Sequence, residues 1–578
     1  MKQLFALTFI LAFHVALAQS LTHPLAEQIL LGNYNPALYT PSQTFSKQQL
    51  VQSIWSNINT DSIFGYLKQL SSFYNRNTGA DTLSETKGMG AARRWIFNRF
   101  NSFSVANQNR LIASYHQFDK AICGQSKHRN ILAILPGTDT SDKSIILVEA
   151  HMDSRCEDVC DTACMANGME DNGSGTALVI ELARVMSKYA FKNTIVFMAT
   201  VGEEQGLDGA TAFATYCAQK GIKIEAVLNN DIVGGILCGK TASPPGCPGE
   251  NTIDSSSVRL FSFGTNLSVH KNLARFIKLQ FKEEAQQVID IPYTIHIMNA
   301  EDRTGRGGDH IPFRQLGFAS IRTTSAHEHG DAQINTNYSD RQHSTRDVLG
   351  KDNNADGTLD SLYVNMNYLK RNIMVNANAL AMAAIGPPAV PQFELGNDGN
   401  GITIRVSAIP GINQYRAGIR TTRNDFDTIL EMNGITETKL YGVKKDTFYF
   451  ITVMAVDASG IESRFAQEKQ VKAIIQAPTG IQKLHEEIRL IELLPAAPNP
   501  FDETTTIGVM VSQLPDEKKA VILISDAAGK NIAHLPFTLQ TGLNEILYEH
   551  GFGQKGLYYY SLQIGNKIYD TRKLIFNK

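Results

Sequence analysis

Two adjacent carboxylates, Glu203 and Glu204, close the apolar run of "TIVFMATVGEEQG" between two glycines. His151 and Asp153 follow a second apolar run, "SIILVEA", and Asp231 follows a third, "EAVLNN". Asp171 stands in "GMEDNGSG", just before a helical pattern, and His343 in "RQHSTRD". Singly, each has a plain structural use. The glutamates could be a solvated loop tip, Asp171 a helix cap, Asp231 a strand-end acceptor, and the histidines core or surface groups. Their joint placement points to chemistry, because ligands of parallel α/β sheets bind outside the carboxyl ends of the strands. Histidine nitrogen and carboxylate oxygen suit zinc. Two histidines and three or four carboxylates exceed the needs of one catalytic zinc and fit a metal pair that shares a carboxylate. Metal charge would also offset the cost of burying like-charged carboxylates together.

The elements that must position these residues follow an alternating pattern from about residue 129. "NILAILPG", "SIILVEA", "NTIVFMATV" and "IEAVLNN" read as buried strands, and "GTALVIELARVMSKYA" and "GATAFATYCAQKG" as helices between them. Strand and helix in alternation, with strands apolar throughout, predict an α/β fold. "HIPFRQLGFASIRTT" adds a short helix and strand, and "SLYVNMNYLKRNIMVNANALAMAAIG" a long closing helix. Upstream, residues 22 to about 120 read as mainly helical. Downstream, "GPPAVP" is a linker by composition, and two stretches of short strands and turns follow it.

The chain of 578 residues, 43 % hydrophobic and 19 % charged, has the balance of a globular protein of several domains. Lys+Arg 54 against Asp+Glu 56 leaves a net charge of -2 and no basic excess for nucleic acid. "MKQLFALTFILAFHVALAQS" has Lys2, a short apolar core and Ala16-Leu17-Ala18, the layout of a signal peptide cut after Ala18. No later stretch is apolar for long enough to span a bilayer. The expected mature protein is therefore exported, where disulfides are allowed. Seven cysteines leave at least one thiol without an intrachain partner. In "RCEDVCDTAC" a thiolate metal site competes with disulfides from Cys156, Cys160 and Cys164 to Cys123, Cys238 or Cys247, and spacing does not decide the pairing.

The run "EAHMDS … GMEDNGSGTALVIELARV … TIVFMATVGEEQGLDGA … VLNNDIVG … GGDHIPFRQLG … QHSTRD" resembles the M28-type dizinc aminopeptidases over roughly residues 110–385. That family also contains secreted bacterial leucyl aminopeptidases, glutamate carboxypeptidases and glutaminyl cyclases. The resemblance implies a zinc-exopeptidase-like α/β fold, with a mostly parallel or mixed sheet flanked by helices. It implies Asp171 as a bridging carboxylate, with Glu204 and His343 completing one zinc site and His151 and Asp231 the other. It implies Glu203 as general base to a water between the metals, and Asp153 as the group that orients His151. Asp309 and His310 of "GGDHIPF" become candidates for contact with substrate or with the outer side of the ligands. Asp208 departs from the family's apolar residue there.

The implied activity is removal of amino-terminal residues from peptides. Carboxypeptidase and glutaminyl cyclase activity use the same ligand types, and a non-catalytic surface binding protein would not need all five ligand positions filled. "DNNADGTLD" adds a candidate calcium loop, Asp352, Asn354, Asp356 and Asp360, without a glutamate at its twelfth position, where Tyr363 stands. Residues 392–475 resemble a fibronectin type III domain, with Tyr449 as its corner tyrosine. Residues 495–578 resemble the C-terminal sorting domain of the type IX secretion system of Bacteroidetes. The expected organisation is thus a signal peptide (1–18), a helical or propeptide-like region (19–110), a catalytic domain (111–385) and two small all-β sandwiches. The expected partners are peptides and the secretion machinery, and the expected location is the cell surface or medium, reached through the periplasm.

Overall fold

The central strand Ile145–His151 is apolar on both sides because both of its faces are covered. Ile145 and Leu147 join one hydrophobic cluster, and Ile146, Val148 and Ala150 join another on the opposite face. This period of two places a helical layer on each side of the sheet. The computed structural model describes residues 19–41, 45–243, 247–332, 339–422, 424–474, 491–501, 504–550 and 554–577. The expected signal peptide lies outside the described residues.

The main sheet comprises β1 (Ser20–Leu21), β2 (Ile112–Ile122), β3 (Gln125–Leu135), β4 (Ile145–His151), β5 (Thr194–Thr200), β6 (Ile224–Asn230), β7 (Ser257–Ser262), β8 (Thr294–Ile297) and β9 (Ser320–Ser325). Their order is β1-β2-β3-β5-β4-β6-β9-β7-β8. Strands β5, β4, β6 and β9 are mutually parallel, whereas β3 joins β5, and β7 joins β9, antiparallel. The sheet is therefore mixed, with its parallel part at the centre.

One layer holds α1 (Ala26–Leu30), and the other holds α2 (Lys47–Asn57), α3 (Thr60–Ser72), α4 (Gly88–Ala106) and α5 (Ser174–Met186). The first layer also receives α6 (Asp208–Lys220), and the second α7 (Val269–Gln280). Helices α8 (His310–Gln315) and α9 (Met366–Ile385) complete the first and second layers respectively. Local chemistry starts these helices. Ser46 and Gln49 form a capping box for α2, and the Asn59 and Asn365 side chains cap α3 and α9. Ile63, Tyr66, Leu67 and Leu70 repeat at helical spacing and bury one face of α3. Each such fully buried large aliphatic side chain contributes about 1.5–3 kcal/mol.

The helical reading of residues 22 to about 120 holds to Ala106 and fails after it. Gln108 and Asn109 both take positive φ, which ends α4, and β2 then pairs with β3 in a hairpin. The N-terminal helices share the core of α5 and α9, so residues 47–106 are packed into the same body as the sheet.

Past α9, two small antiparallel pairs of sheets follow. In the first, Phe393–Asn397, Ile402–Val406 and Glu437–Leu440 face a four-stranded sheet of Thr428–Asn433, Gln414–Arg420, Phe448–Val456 and Lys469–Lys472. The Tyr449 hydroxyl accepts from the Lys444 amide at 3.0 Å. Buried Glu468 receives both Arg275 of α7, at 2.8 Å, and Arg420 of this unit, at 2.6 Å, tying it to the sheet-and-helix body. The second pair is built from strands between Ile491 and Phe576 around its own apolar cluster.

Candidate metal centre

The parallel strands β4, β5 and β6 end side by side, and each delivers its polar residues to one place. His151 is the last residue of β4, and Asp231 immediately follows β6. Glu203 and Glu204 follow β5 after Gly202, whose φ of +74° turns the chain and where a Cβ would meet that of Asp208 at 3.1 Å. Asp171 sits at the start of the segment that becomes α5, and its peptide bond to Asn172 is cis. Leu207, Ile232 and His343 are non-glycine residues at positive φ beside these groups. Such conformations cost about 1–3 kcal/mol each and persist where the surroundings enforce them.

Asp171 is the hub. Its Oδ1 lies 3.3 Å from His151 Nε2 and its Oδ2 lies 3.2 Å from His343 Nε2. His151 Nε2 is also 3.5 Å from Asp231 Oδ1, and His343 Nε2 is 3.5 Å from Glu204 Oε2. Donor atoms of His151, Glu203 and Asp231 also lie within 4.8 Å of one another, as do those of His151, Asp171 and Glu204. These two groups overlap at His151, and Asp171 stands between His151 and His343 with one carboxylate oxygen toward each. His151 Nε2, Glu204 Oε1 and Asp231 Oδ1 are buried and make no hydrogen bond, although charged partners stand close. Buried polar atoms without partners are costly, and a cation among them removes the cost. The donor set, imidazole nitrogen and carboxylate oxygen, fits zinc.

The outer contacts hold these ligands in place. His151 Nδ1 is 3.1 Å from the main-chain carbonyl of Asp153 and 3.6 Å from its carboxylate. The carboxylate instead accepts from Thr78 Oγ1 at 3.2 Å and from the Glu204 amide at 3.3 Å. Asp153 thus orients His151 through its backbone and steadies the glutamate loop with its side chain. His343 Nδ1 bonds Asp331 Oδ2 at 2.9 Å. Buried Arg322 reaches Asp231 at 2.8 Å and Asp302 at 2.6 Å. The Asp347 carboxylate accepts from the amides of Glu170 and Asp171, both at 2.9 Å. Arg155 Nε donates to Glu204 Oε2 at 2.9 Å.

The electrostatics of the metal-free protein follow from crowding. Burial alone would lower the His343 pKa, yet Glu204, Asp171 and Asp331 push it up to about 9. Burial likewise opposes protonation of His151, but Glu203, Asp153, Asp171 and Asp231 hold its pKa well above the usual value. Burial, and then the charge of Asp171, raise Glu204 to about 7. Burial raises Glu203 well above the carboxylate range. Divalent metal reverses the sign of this field, so its arrival displaces protons.

Arg322 was invisible in the sequence, and its replacement is a sharp test of the frame. Arg322→Met leaves Asp231 and Asp302 short of a buried partner. Breaking a buried pair costs about 3–5 kcal/mol, and that loss is expected in thermal denaturation of metal-free protein. Zinc should restore part of it, because metal bound at Asp231 compensates the same charge. An equal loss with and without zinc would separate Arg322 from the centre.

The other expected residues fall nearby or apart. Asp309 and His310 are fully buried at the start of α8. Asp309 accepts from Thr200 and lies close enough to His151 and Glu203 to act on their charges. Both ring nitrogens of His310 lack a hydrogen bond, and burial lowers its pKa to about 4. Asp208 is buried and paired with Lys120 on the β2–β3 hairpin, which fastens the glutamate loop to that hairpin. In the turn between Gly350–Lys351 and Ser361–Leu362, Asp352, Asp356 and Asp360 accept from amides of Gly357, Thr358 and Asn353 at 2.8, 2.7 and 2.6 Å. The Asn354 side chain accepts from the Asp356 amide at 3.1 Å. These side chains close the turn and are not among the described ligand groups that converge.

The cysteines pair as Cys123–Cys160, Cys156–Cys164 and Cys238–Cys247, with Cys217 free and buried. The thiolate metal alternative in "RCEDVCDTAC" is thereby removed, although Asp161 lies beside Cys156 and Cys164. Cys160 finds Cys123 as one of its expected partners, but Cys156 closes on Cys164 within its own stretch. Cys123–Cys160 spans 37 residues and staples the hairpin to the cleft rim. Removing both cysteines by serine substitution is expected to cost about 2–4 kcal/mol, measurable as a lowered denaturant midpoint.

A helix-flanked mixed sheet carrying histidines and carboxylates around one shared aspartate has the donor set of a metal-binding α/β protein. Residues 130–362 match the profile of Peptidase family M28. A probable zinc metalloprotease of Leptosphaeria maculans is 30 % identical over 298 residues, covering 50 % of this chain and 68 % of that protein. A probable zinc metalloprotease of Phaeosphaeria nodorum is 30 % identical over 312 residues, covering 49 % of this chain and 62 % of that protein. The chain thus spans about two thirds of the length of the curated relatives it matches. The crystal structure of the LapA aminopeptidase of Legionella pneumophila aligns at 18 % identity and a TM-score of 0.41, covering 57 % of this chain and 73 % of that one. The chain belongs to peptidase family M28.

Proposed function

We propose that the protein is an exported dizinc exopeptidase that removes amino-terminal residues from peptides. The observation that carries the reading is the division of Asp171, one carboxylate oxygen facing His151 and the other facing His343. His151 and Asp231 would hold one ion, His343 and Glu204 the other, with Asp171 between them. Bound there, zinc supplies Lewis acidity to a peptide carbonyl and lowers the pKa of water.

The chain's own groups do the rest. Glu203 lines the cleft with a carboxylate oxygen within 4.8 Å of the ligand atoms of His151 and Asp231. It is placed to take a proton from the attacking water and return it to the leaving amine. The Asp153 carbonyl on His151 and the Asp331 carboxylate on His343 leave each Nε2 aimed inward. Arg322 keeps Asp231 ionised, as its charge and the His151 contact outweigh the effect of burial.

The test is hydrolysis of free, N-blocked and C-amidated peptides by purified protein, with chelator and after zinc is restored. Loss on chelation and recovery with zinc are expected. Cleavage indifferent to N-blocking would overturn the aminopeptidase reading, and indifference to chelation would overturn the metal reading.

Export rests on the N-terminal signal pattern, and no helix among the described residues is long and apolar enough to cross a membrane. We read the three-plus-four-stranded unit, with Tyr449 bonded back to residue 444, as a fibronectin type III-like spacer. We read the last unit as a type IX sorting domain. Mass spectrometry of the secreted form should find an N-terminus at Gln19 and loss of residues after about 495. Retention of the intact C-terminus would count against the sorting role.

A further inference from the structure

Residues 303, 305, 306 and 307 line the cleft beside the metal ligands. One buried guanidinium holds both ends of this stretch. Arg322 Nη1 donates to the Asp302 carboxylate at 2.6 Å and also to the Gly307 carbonyl. Its Nη2 stands 2.8 Å from Asp231 Oδ2, while Asp231 Oδ1 faces His151 Nε2 at 3.5 Å. Arg322 therefore lies between a metal ligand and a wall of the cleft. Gly308 leaves it room, since a Cβ there would meet the Arg322 side chain at 3.1 Å. Arg322 is in turn held from behind. The other Asp302 oxygen accepts from the Arg303 amide at 2.7 Å and from Arg303 Nε at 3.4 Å. Arg303 Nη1 donates to both Glu328 oxygens at 2.8 Å, and Arg259 stands 3.3 Å from the same carboxylate. All six side chains are buried, and their charges alternate from Asp231 to Arg259. Burial works against both inner carboxylates. Arg322 and Arg303 outweigh it at Asp302, and Arg303 and Arg259 outweigh it at Glu328, so both stay ionised. Stability alone gives little reason for such a series, because apolar side chains of similar volume often serve as well or better.

We propose that Asp302, Arg303 and Glu328 are positioning residues for the metal position at Asp231. They act through Arg322. Asp302 shares the Arg322 charge, which leaves Asp231 Oδ1 available to a cation, and Arg303 with Glu328 fixes Asp302 in that place. Without Asp302 the whole Arg322 charge falls on Asp231 and opposes the ion. The same contacts tie the metal position to the wall at 302–307. Coupling of this kind is reciprocal, so an ion at Asp231 steadies the wall. The inference rests on the dizinc reading above, and the test separates the two.

Competition with a chromogenic chelator measures the two zinc affinities of the purified protein. Asp302→Asn should weaken one of them by about 10–100-fold, the cost of losing an outer partner. The other should stay within about two-fold, as expected of an independent site. In a His343→Ala background, where Asp231 holds the remaining zinc, Asp302→Asn should cost the same. Glu328→Gln acts one step further out and should cost about 2–30-fold, the range for residues along a coupled network. Glu328→Asp keeps the charge and should cost less than Glu328→Gln. Glu468→Gln breaks a different buried arginine–glutamate cluster and serves as the structural control. Its thermal midpoint should fall while both zinc affinities stay within about two-fold. Zinc should also slow hydrogen exchange at amides 303–307 in the wild type and not in Asp302→Asn. Two zinc affinities unchanged in Asp302→Asn and Glu328→Gln overturn the positioning role. Equal losses at both positions, or equal losses in Glu328→Gln and Glu328→Asp, overturn it as well. If Asp302→Asn does not fold, the two Glu328 variants decide. A wild type that takes up fewer than two zinc ions rejects the dizinc reading and the positioning role with it. Two zinc ions bound with no peptide cleaved reject the peptidase and leave the positioning role.

Discussion

Glu203→Gln is expected to lower kcat by about 10²–10⁴-fold, the range attributed to a positioned general base, while both zinc ions stay bound. Glutamine matches glutamate in shape and cannot carry a proton between water and amine. The ligand distances around Asp171 do not involve Glu203, so the metal positions should persist. Stability should hold or rise, because burial together with Asp231 and Glu204 disfavours the Glu203 charge in the metal-free protein. The measurement is kcat beside zinc content by elemental analysis of the same sample. Metal lost along with activity would make Glu203 a ligand. Near-normal kcat with two zinc ions would place the proton carrier elsewhere, with Asp309, which burial raises to about 7, the next group to examine.

The central strands and the groups at their ends were legible because both signals are local. An apolar run specifies a strand covered on both faces, and a polar residue just past it lands on the carboxyl edge. His151, Glu203, Glu204 and Asp231 could all be placed in that way. Asp171 and His343 came from the company they keep and from the family resemblance, since neither follows a strand of the parallel set. What could not be read was the support. Thr78 reaches Asp153 from 75 residues away, Arg76 bonds the Met152 carbonyl across 76, and Arg322 meets Asp231 across two neighbouring strands. An arginine or threonine has the same local signature whether it meets solvent or a buried carboxylate. Only the packing of α3 and α4 against α5 brings the segment with Arg76 and Thr78 behind the site.

The same reason explains Asp208 and the cysteines. Asp208 stands just past the glutamate pair in place of an apolar residue, and the hairpin of β2 and β3 brings Lys120 over it. Strand β2 of that hairpin falls in the stretch read as mainly helical, and the hairpin's tip also carries Cys123 to Cys160. An aspartate-to-lysine pair and a disulfide thus fasten one hairpin to two of the loops around the cleft. Neither could be foreseen without the antiparallel pairing of β2 and β3, which is set by contacts between strands. Asp331 had a weak signal, a carboxylate in "HEHGD" twelve residues before His343. An imidazole bound through Nε2 calls for an acceptor at Nδ1, but several acidic residues nearby could have met that need.

Asp171→Asn should weaken both metal positions, because the amide replaces one of the two oxygens shared by His151 and His343 with an N–H donor. Loss of an outer partner already costs about 10–100-fold in metal affinity, so a lost shared ligand should cost at least about 100-fold at one position. The expected zinc content falls from two to one or none, and activity falls at least as far as in the Glu203 variant. The fold should survive, since the Asp347 carboxylate binds the backbone amide of residue 171 and not its side chain. A titration of thermal stability provides a second reading. Ligand at a hundred-fold excess over Kd stabilises by about 2.7 kcal/mol, and most of that gain should vanish in the variant.

The metal-free proteins should differ in pH response too. Burial raises the Asp171 pKa, but the bonds and charges of His343 and His151 win and hold it well below the usual value. Its contribution to stability is therefore present above the unfolded carboxylate pKa and lost as pH falls further into acid. The raised His343 contributes fully below the unfolded imidazole pKa and loses its contribution as pH rises through about 9. Asp171→Asn removes one partner of both histidines, so the decline of metal-free stability toward alkaline pH should flatten. Two zinc ions held tightly by the variant, or an unchanged alkaline decline, would remove Asp171 from the shared position and with it the metal pair as drawn.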